Sequence, residues 1–400
     1  MSEAISKTRT VTAELWGDGR GWVLLAVSIG WFLSYGVRMV YPIFAPFFQA
    51  EFGLTLTTTG LLLSTLWGAY ALGQIPGGIL GDRIGEGRIL VISSVISGVA
   101  IAVVAASIDV WMLFVGTIGF GFATALFGPT RFTVFTDLYS KRTGSAIGLT
   151  MAAGSAGNTV LPVVTAVLAT SLTWRLSFGS LIPLFAVATV ALWVFVPART
   201  SSESSAVDDF SRETITHILE SISGNSIPVV VAIQMCFSFA FQGFVSFYPT
   251  FLTDVKDLSP SVAATLFGIF FASSFAVQPL SGIGMDRFGA RSTLIGVLGI
   301  GCLGLWLLPF VSGTLPLASL TIVVSVISGC AVLTQTHIAA SLPEDVQGTG
   351  MGTVKASWML VGATSPLIIG VLGDLGHFTA GFVVLAVLAT IGLLLTVVRL

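Results

Sequence analysis

The sequence predicts an all-α integral membrane protein with twelve transmembrane helices in two related six-helix halves. Three observations support this class: charged residues are scarce, the apolar segments are long, and the chain contains an internal repeat. Of 400 residues, 54% are hydrophobic and only 9% are charged, whereas soluble domains contain about 25% charged residues. Such a chain cannot cover its whole surface with polar groups, so we expect lipid to surround much of it.

The apolar segments are long enough to cross a bilayer as helices. A transmembrane helix needs about 20 apolar residues, whereas the strands of a membrane barrel have about ten residues that alternate apolar with polar. The segments here are long and continuous, which favours helices. We predict spans at residues 22–48, 57–81, 88–107, 111–136, 144–170, 177–196, 227–252, 261–285, 292–311, 317–341, 348–372 and 378–398.

The sequence argues against several other classes of protein. A net charge of −2 does not favour a nucleic-acid partner, because nucleic acids select for clustered positive charge. Cys236, Cys302 and Cys330 lie inside predicted spans, so we expect neither a disulfide framework nor a metal site. No Gly-Lys pair, Gly-x-Ser-x-Gly elbow or His-Glu-x-x-His motif occurs, so we expect no nucleotide, no cofactor and no enzymatic activity. A Gly-x-Gly-x-x-Gly pattern at 299–304 lies inside a span and is interpreted as a helix-packing surface.

The distribution of Lys and Arg predicts the orientation. With the N-terminus inside, twelve cations lie in inner segments and only Arg175 and Lys256 lie in outer loops. Because cytoplasmic loops are enriched in Lys and Arg, we expect a multi-pass protein of the cell membrane with both termini in the cytoplasm. Arg38, Arg131 and Lys355 fall outside this distribution, within predicted spans.

An internal repeat relates the two halves of the chain. Residues 74–85 align with residues 278–289 at an offset of 204, and both copies contain Gly-x-x-x-Asp-Arg-x-Gly. Repeats of this kind are common in transporter folds. We divide the chain into a cytoplasmic tail (1–21), a first half (22–196), a linker with an amphipathic helix at the membrane surface (197–226) and a second half (227–400).

The repeated segment resembles the cytoplasmic loop signature of the major facilitator superfamily. The resemblance implies a twelve-helix fold whose halves rock around a central site. The glycines permit close helix packing, and Asp and Arg can form a charge-assisted network with a neighbouring helix end. One residue is inserted before Arg88 relative to the usual pattern. The resemblance implies a role in gating for Gly78, Asp82, Arg83, Gly85, Arg88, Gly282, Asp286, Arg287 and Arg291.

Other segments resemble two branches of that superfamily. Residues 60–77 and 129–131 are similar to anion:cation symporters, whereas 34–36 and 139–149 are similar to monocarboxylate and oxalate:formate transporters. Both branches mostly handle small organic anions. Drug exporters usually carry a Gly-Pro step in the fifth span, and residues 154–158 have no proline, which disfavours drug export.

Three cations inside spans predict a positively charged cavity. A charge at the centre of a membrane helix costs about 2.5–3.5 kcal/mol on insertion scales, so Arg38 should face an interior cavity. Arg131 and Lys355 are predicted to face the same cavity. The alternative for each is that its charged end reaches the lipid headgroups. All 19 acidic residues lie in loops, in the linker or at span ends. We therefore expect an anionic ligand, which arginine can hold with two parallel hydrogen bonds.

Polar residues on the same helical faces complete the predicted substrate site. They are Tyr35, Tyr41, Asn158, Gln242, Tyr248 and Gln335. His337 is the only histidine in a predicted span and is the candidate for proton coupling, with a packed structural histidine as the alternative. Anion exchange or facilitated flux is favoured over proton symport.

These features predict a monomeric transporter that moves a small carboxylate-type anion by alternating access. Its expected partners are the anionic solute and the lipid bilayer. One alternative is an exporter of hydrophobic or cationic compounds, for which ligand charge would not control binding. A second alternative is a membrane receptor that transports no solute.

Overall fold

The computed structural model describes residues 16–139, 142–200, 227–342 and 347–400 and is almost entirely helical in those ranges. It confirms the predicted all-helical class. The described residues form twelve long helices, which are α1 (Arg20–Phe52), α2 (Leu56–Ile84), α3 (Glu86–Ala105), α4 (Val110–Leu138), α5 (Thr143–Ser171), α6 (Trp174–Phe195), α7 (Ile227–Asp254), α8 (Pro260–Phe288), α9 (Ala290–Leu307), α10 (Thr314–Ser341), α11 (Gln347–Asp374) and α12 (Phe378–Arg399). The predicted linker helix and most of the predicted N-terminal tail lie outside the described residues.

Eleven of these helices are long and apolar enough to cross a membrane. The twelfth, α2, has 29 residues but is less apolar, because it begins with a run of threonines at 57–59 and carries Gln74 near its centre. Protein covers α2 closely on two sides. A Cβ atom on Gly77 would lie 2.9 Å from the Cα atom of Leu126 in α4, and one on Gly60 would lie 2.3 Å from the carbonyl oxygen of Pro366 in α11.

Glycine and polar side chains set the helix ends. Gly85 and Gly289 occupy equivalent places in the repeat, and both have positive φ angles, of 109° and 83°. L side chains rarely adopt such angles, so glycine permits the sharp turns from α2 to α3 and from α8 to α9. At the start of α4, the Asp109 carboxylate accepts a hydrogen bond from the Met112 amide at 2.7 Å, which is the usual role of an N-cap aspartate.

The halves contact each other closely at the end of the bundle where α2 begins and α11 ends, which we name the Asp374 end. There the Asp374 carboxylate accepts hydrogen bonds from the backbone amides of Leu56 and Thr57, each at 2.9 Å. Two turns deeper, the Leu367 amide donates to the Ser64 hydroxyl at 3.0 Å. An acidic residue of the second half therefore caps the first turn of a helix of the first half.

Both copies of the repeated segment lie at the opposite end, which we name the motif end. In the first half, the segment that follows α6 packs across it. The Arg88 amide donates to the Ala198 carbonyl at 3.3 Å, and the Arg199 guanidinium donates to the Arg83 carbonyl at 2.8 Å. The first residues of the predicted linker are thus attached to the first half.

In the second half, the equivalent residues Asp286 and Arg287 are exposed. Arg291 donates to the Val397 carbonyl of α12 at 2.7 Å. The bonds described for both copies run within one half, so the gating role of the nine motif residues stays a prediction.

We expect Asp374→Ala to loosen the contact between the halves, whereas Asp109→Ala should not. Each substitution removes a helix cap, at a cost of about 1 kcal/mol, but only Asp374 caps a helix of the other half. The measurement is the rate at which a maleimide modifies Ser64→Cys after replacement of the native cysteines. Modification should be about fivefold faster with Asp374→Ala. Equal rates in the two backgrounds would show that the Asp374 cap does not hold the halves together.

Candidate binding cavity between the two halves

A cavity of about 280 Å³ lies between the two halves and collects the three cations that the sequence places within spans. Arg38 reaches it from α1, Arg131 from α4 and Lys355 from α11. Two amide side chains, Gln242 of α7 and Gln335 of α10, also line it. Residues separated by more than 300 positions in the sequence thus face one space.

Arg38 is completely buried and is surrounded by aromatic rings. Its Nε atom donates to the Ser34 carbonyl at 3.0 Å, and this bond fixes the position of the guanidinium at its Nε side. The guanidinium carbon lies 3.7 Å from the Tyr70 ring centroid and 5.0 Å from that of Tyr35. Neither Nη1 nor Nη2 has a hydrogen-bond partner among the described residues, so both remain available to a ligand.

Arg131 is 3% exposed and stacks on the indole of Trp31. Its guanidinium carbon lies 3.3 Å from the ring centroid, and Nη2 donates to the Met151 sulfur at 3.3 Å, which is a weak acceptor. Nη1 has no partner in the described part of the chain. The guanidinium of Arg38 lies 5.6 Å from the same Trp31 ring, so one indole is flanked by both arginines.

The partners of these two arginines determine the charge of the cavity. None of the residues that line it is an Asp or Glu. Aromatic rings attract cations through their negative faces, by about 0.5–2 kcal/mol per contact, but they carry no net charge. The rings of Trp31, Tyr35, Trp67 and Tyr70 therefore hold the arginines in place while the cavity stays positively charged.

The internal repeat is visible in the cavity wall. Arg131 and Gln335 are equivalent positions at the offset of 204, and both line the cavity. Met151 and Lys355 form a second equivalent pair that lines it. In each pair one half supplies the cation and the other a neutral side chain. Symmetry of the fold thus brings unlike residues to one site.

Two of the predicted site residues are placed elsewhere. Tyr41 is fully buried within the first half, where its ring lies 5.3 Å from that of Phe178. Tyr248 stacks on Phe244 at 4.4 Å and shares a hydrogen bond with the Thr321 hydroxyl. Neither tyrosine lines the cavity, because a shared helical face does not determine how far along the helix a cavity extends. Their role in substrate binding stays a prediction.

Two further predicted residues also lie outside the cavity wall. Asn158 lines a smaller adjoining cavity of about 50 Å³, whose wall includes Tyr35, Met151 and Phe241 from the larger cavity. His337 lies on α10, two residues from Gln335, and is partly buried. It is not among the residues that line either cavity, so its role in coupling stays a prediction.

Sequence reasoning predicted Tyr35 but missed the other aromatic residues around Arg38, which are Trp31, Trp67 and Tyr70. Trp31, Tyr35 and Arg38 are spaced by four and three residues, so they share one face of α1. Trp67 and Tyr70 are likewise three residues apart on α2. This spacing is a usable signal, but aromatic residues at such spacing are also common in helix cores.

The chain matches a known family over most of its length. Residues 27–332 and, in a second match, 230–400 match the Major Facilitator Superfamily. The chain belongs to this superfamily. Membership agrees with the predicted twelve-helix fold and confirms that the chain is a transporter rather than an enzyme.

Curated relatives of this superfamily member are named for organic anions. A probable sulfoacetate transporter of Cupriavidus necator is 24% identical, over 94% of this chain and 92% of the relative. A hexuronate transporter of Bacillus subtilis is 24% identical over 69% of this chain and 67% of the relative. The cis,cis-muconate transport protein of Acinetobacter baylyi is 24% identical over 88% and 86%.

Solved structures of other transporters share the fold. A bacterial homologue of the human lysosomal transporter Spinster, in an inward-facing and occupied conformation, gives a TM-score of 0.74 at 17% identity and covers 94% of this chain and 96% of its own. The nucleoside transporter NupG gives 0.76 at 13% identity, over 94% and 98%. At these identities the likeness concerns the fold alone.

We expect Arg38→Met to raise the thermal stability of the ligand-free protein. Burial of a charge without an acidic partner costs several kcal/mol, and an apolar residue of similar size often restores about 1–4 kcal/mol. The lost cation–π contacts offset only part of this gain, because the Met side chain packs favourably against the same aromatic rings. The measurement is the melting temperature of the purified protein.

Arg175→Met is the matched control, and its melting temperature should fall. The Arg175 guanidinium pairs with Glu51 at 3.0 Å and donates to the Ala105 carbonyl at 3.2 Å. A fall for Arg38→Met as large as that for Arg175→Met would show that Arg38 contributes to folding rather than to binding alone.

Proposed function

We propose that this protein carries a small organic anion of the carboxylate class across the cell membrane by alternating access. The observation behind the proposal is the central cavity, where Arg38, Arg131 and Lys355 converge and no acidic residue is among the lining residues. An anion bound there would balance charge that the described part of the protein leaves unpaired.

The two arginines supply the donors for the acid group. Arg38 offers two guanidinium nitrogens without partners and Arg131 offers one. A planar guanidinium can hold a carboxylate through two parallel hydrogen bonds. Lys355 adds a compact positive charge from the second half. A ligand held in this way contacts both halves, as alternating access around a central site requires.

The named solutes of the relatives support an anionic substrate. Sulfoacetate, hexuronate and cis,cis-muconate each carry at least one acidic group. A fourth relative, a probable galactarate/D-glucarate transporter of Pseudomonas putida, is 36% identical over 26% of this chain. These solutes differ in size and shape but share the acid group that the cationic cavity would recognise.

The distribution of Lys and Arg supports an orientation with both termini in the cytoplasm. The Asp374 end then faces the outside of the cell, and its hydrogen bonds close the outer side of the cavity. The repeated segments lie on the cytoplasmic side, where the nine motif residues would serve as an inner gate. Because the two halves of one chain enclose the cavity, a single chain would suffice for alternating access around it, and we propose a monomer.

The two alternative functions predict different ligand behaviour. An exporter of cationic compounds would bring a positive charge next to three cations, which repel it, and an exporter of hydrophobic compounds would leave the charge of those cations unbalanced. A membrane receptor would bind the anion but produce no flux in proteoliposomes. Flux of a carboxylate into proteoliposomes therefore separates the proposal from both alternatives.

We expect Arg38→Gln and Arg131→Gln each to weaken carboxylate binding about 10–100-fold, because each removes a charged hydrogen-bond donor of the acid group. Calorimetric titration of the purified protein with mono- and dicarboxylates, sugar acids and inorganic anions measures this, with neutral and cationic compounds as ligand controls. Arg175→Gln, at the Asp374 end, is the control variant and should keep its affinity. Unchanged affinity in both cavity variants would contradict the proposal.

Transport should not require a proton, because no Asp, Glu or His is among the described residues that line the cavity. Carboxylate uptake into vesicles should therefore leave the pH of a weakly buffered medium unchanged, and His337→Ala should transport at the rate of the unmodified protein. Alkalinisation during uptake that disappears in His337→Ala would instead establish proton symport through that histidine.

A further inference from the structure

The smaller cavity beside the cationic site has a different chemistry. About 50 Å³ in volume, it lies between α1 and α5 of the first half and α7, α8 and α10 of the second. None of its lining residues is charged. Tyr35, Met151 and Phe241 form the wall that it shares with the cationic cavity. We name this smaller cavity the neutral annex.

Three buried polar atoms in the annex have no hydrogen-bond partner in the described part of the chain. They are Oδ1 of Asn158, Oγ of Ser274 and Oγ of Ser328, and the three residues are 2%, 4% and 3% exposed. An unsatisfied buried polar group costs about 1–3 kcal/mol. In native proteins such groups are therefore usually hydrogen-bonded to a ligand or a water molecule.

The two serines differ from most hydroxyl residues in these helices. A serine or threonine inside a helix commonly donates to a carbonyl of the preceding turn. Ser281, on the same helix as Ser274, donates to the Val277 carbonyl at 2.9 Å. Ser274 and Ser328 make no such bond, so their hydroxyl groups remain free to bind a molecule in the annex.

The chemistry of these groups selects among possible occupants. The Asn158 carbonyl oxygen accepts a hydrogen bond, and a serine hydroxyl both donates and accepts. An alcohol hydroxyl matches both kinds of group. A methylene chain would leave all three atoms unpaired, and a carboxylate would be buried without a cation beside it.

We propose that the neutral annex binds the hydroxylated tail of the substrate while Arg38 and Arg131 hold its single acid group. The inference rests on the proposed function and narrows the substrate class to hydroxylated monocarboxylates, such as sugar acids with one carboxylate. The annex has room for a few hydroxyl-bearing groups, since one water needs about 10–15 Å³ on the same measure. Met151, a flexible side chain in the shared wall, can move to admit the tail.

Calorimetric titration of the purified full chain with matched ligands tests this inference. D-gluconate and D-glucuronate carry one acid group and several hydroxyls. Hexanoate has the same chain length without hydroxyls, and D-glucarate has a second carboxylate. We expect at least one of the two sugar acids to bind tenfold or more tightly than both hexanoate and D-glucarate.

The double variant Ser274→Ala/Ser328→Ala should reduce that preference to about threefold or less, while hexanoate affinity is kept. Ser281→Ala, on the same helix but with its hydroxyl already bonded, is the control and should keep the full preference. The inference is overturned if hexanoate or D-glucarate binds as tightly as the sugar acids, or if the double variant keeps the preference. Anion binding that does not depend on Arg38, or no binding of any anion, would instead refute the proposed function itself.

Discussion

Two arginines lie buried between the helices with no acidic partner among the residues that line their cavity, and the rest of the site depends on this constraint. Removal of a guanidinium from water is costly unless other groups attract it. Here the faces of Trp31 and Tyr70 lie against the two guanidinium groups. Aromatic rings hold a cation without cancelling its charge. The cavity can therefore attract an anionic ligand, whereas an Asp or Glu beside the arginines would have taken the place of that ligand.

The repeat explains how one symmetric fold contains an asymmetric site. Gly85 and Gly289 turn the chain at equivalent places, because the backbone requires a positive φ in both halves. The cavity does not require the same residue at equivalent positions of the two halves. Arg38 corresponds to Val245, which is buried in the hydrophobic core of the second half. The first half thus supplies both arginines, and the second supplies Lys355 and the amides.

The halves are joined at the Asp374 end by hydrogen bonds that water can replace, whereas the aromatic clusters lie within each half. The contacts at the Asp374 end consist of glycine-mediated close approach and hydrogen bonds from backbone amides to Asp374 and Ser64. Backbone amides at a helix start can exchange such a partner for water. Within each half, long aromatic clusters pack the helices, such as Tyr41 with Phe120 and Phe178. Halves that are rigid inside and joined by exchangeable bonds suit a rocking motion.

The sequence by itself determined the helical class, the number of helices and the repeat, and it located within spans the three cations that the structure places in the cavity wall. It could do so because long apolar segments and the cost of a charge in hydrocarbon are local properties of the chain. Gln242 and Gln335 also reach the predicted cavity. The linker helix and the roles of His337 and the motif residues stay predictions.

Only the tertiary structure decided which polar residues meet. Tyr41 and Tyr248 share helical faces with cavity residues but pack in the core, and Asn158 lines the neutral annex instead of the cationic cavity. The aromatic residues around Arg38 also became recognisable as a group only in three dimensions. The physical reason is that helical periodicity gives a direction around one helix, whereas the depth and extent of a cavity depend on how several helices tilt and cross.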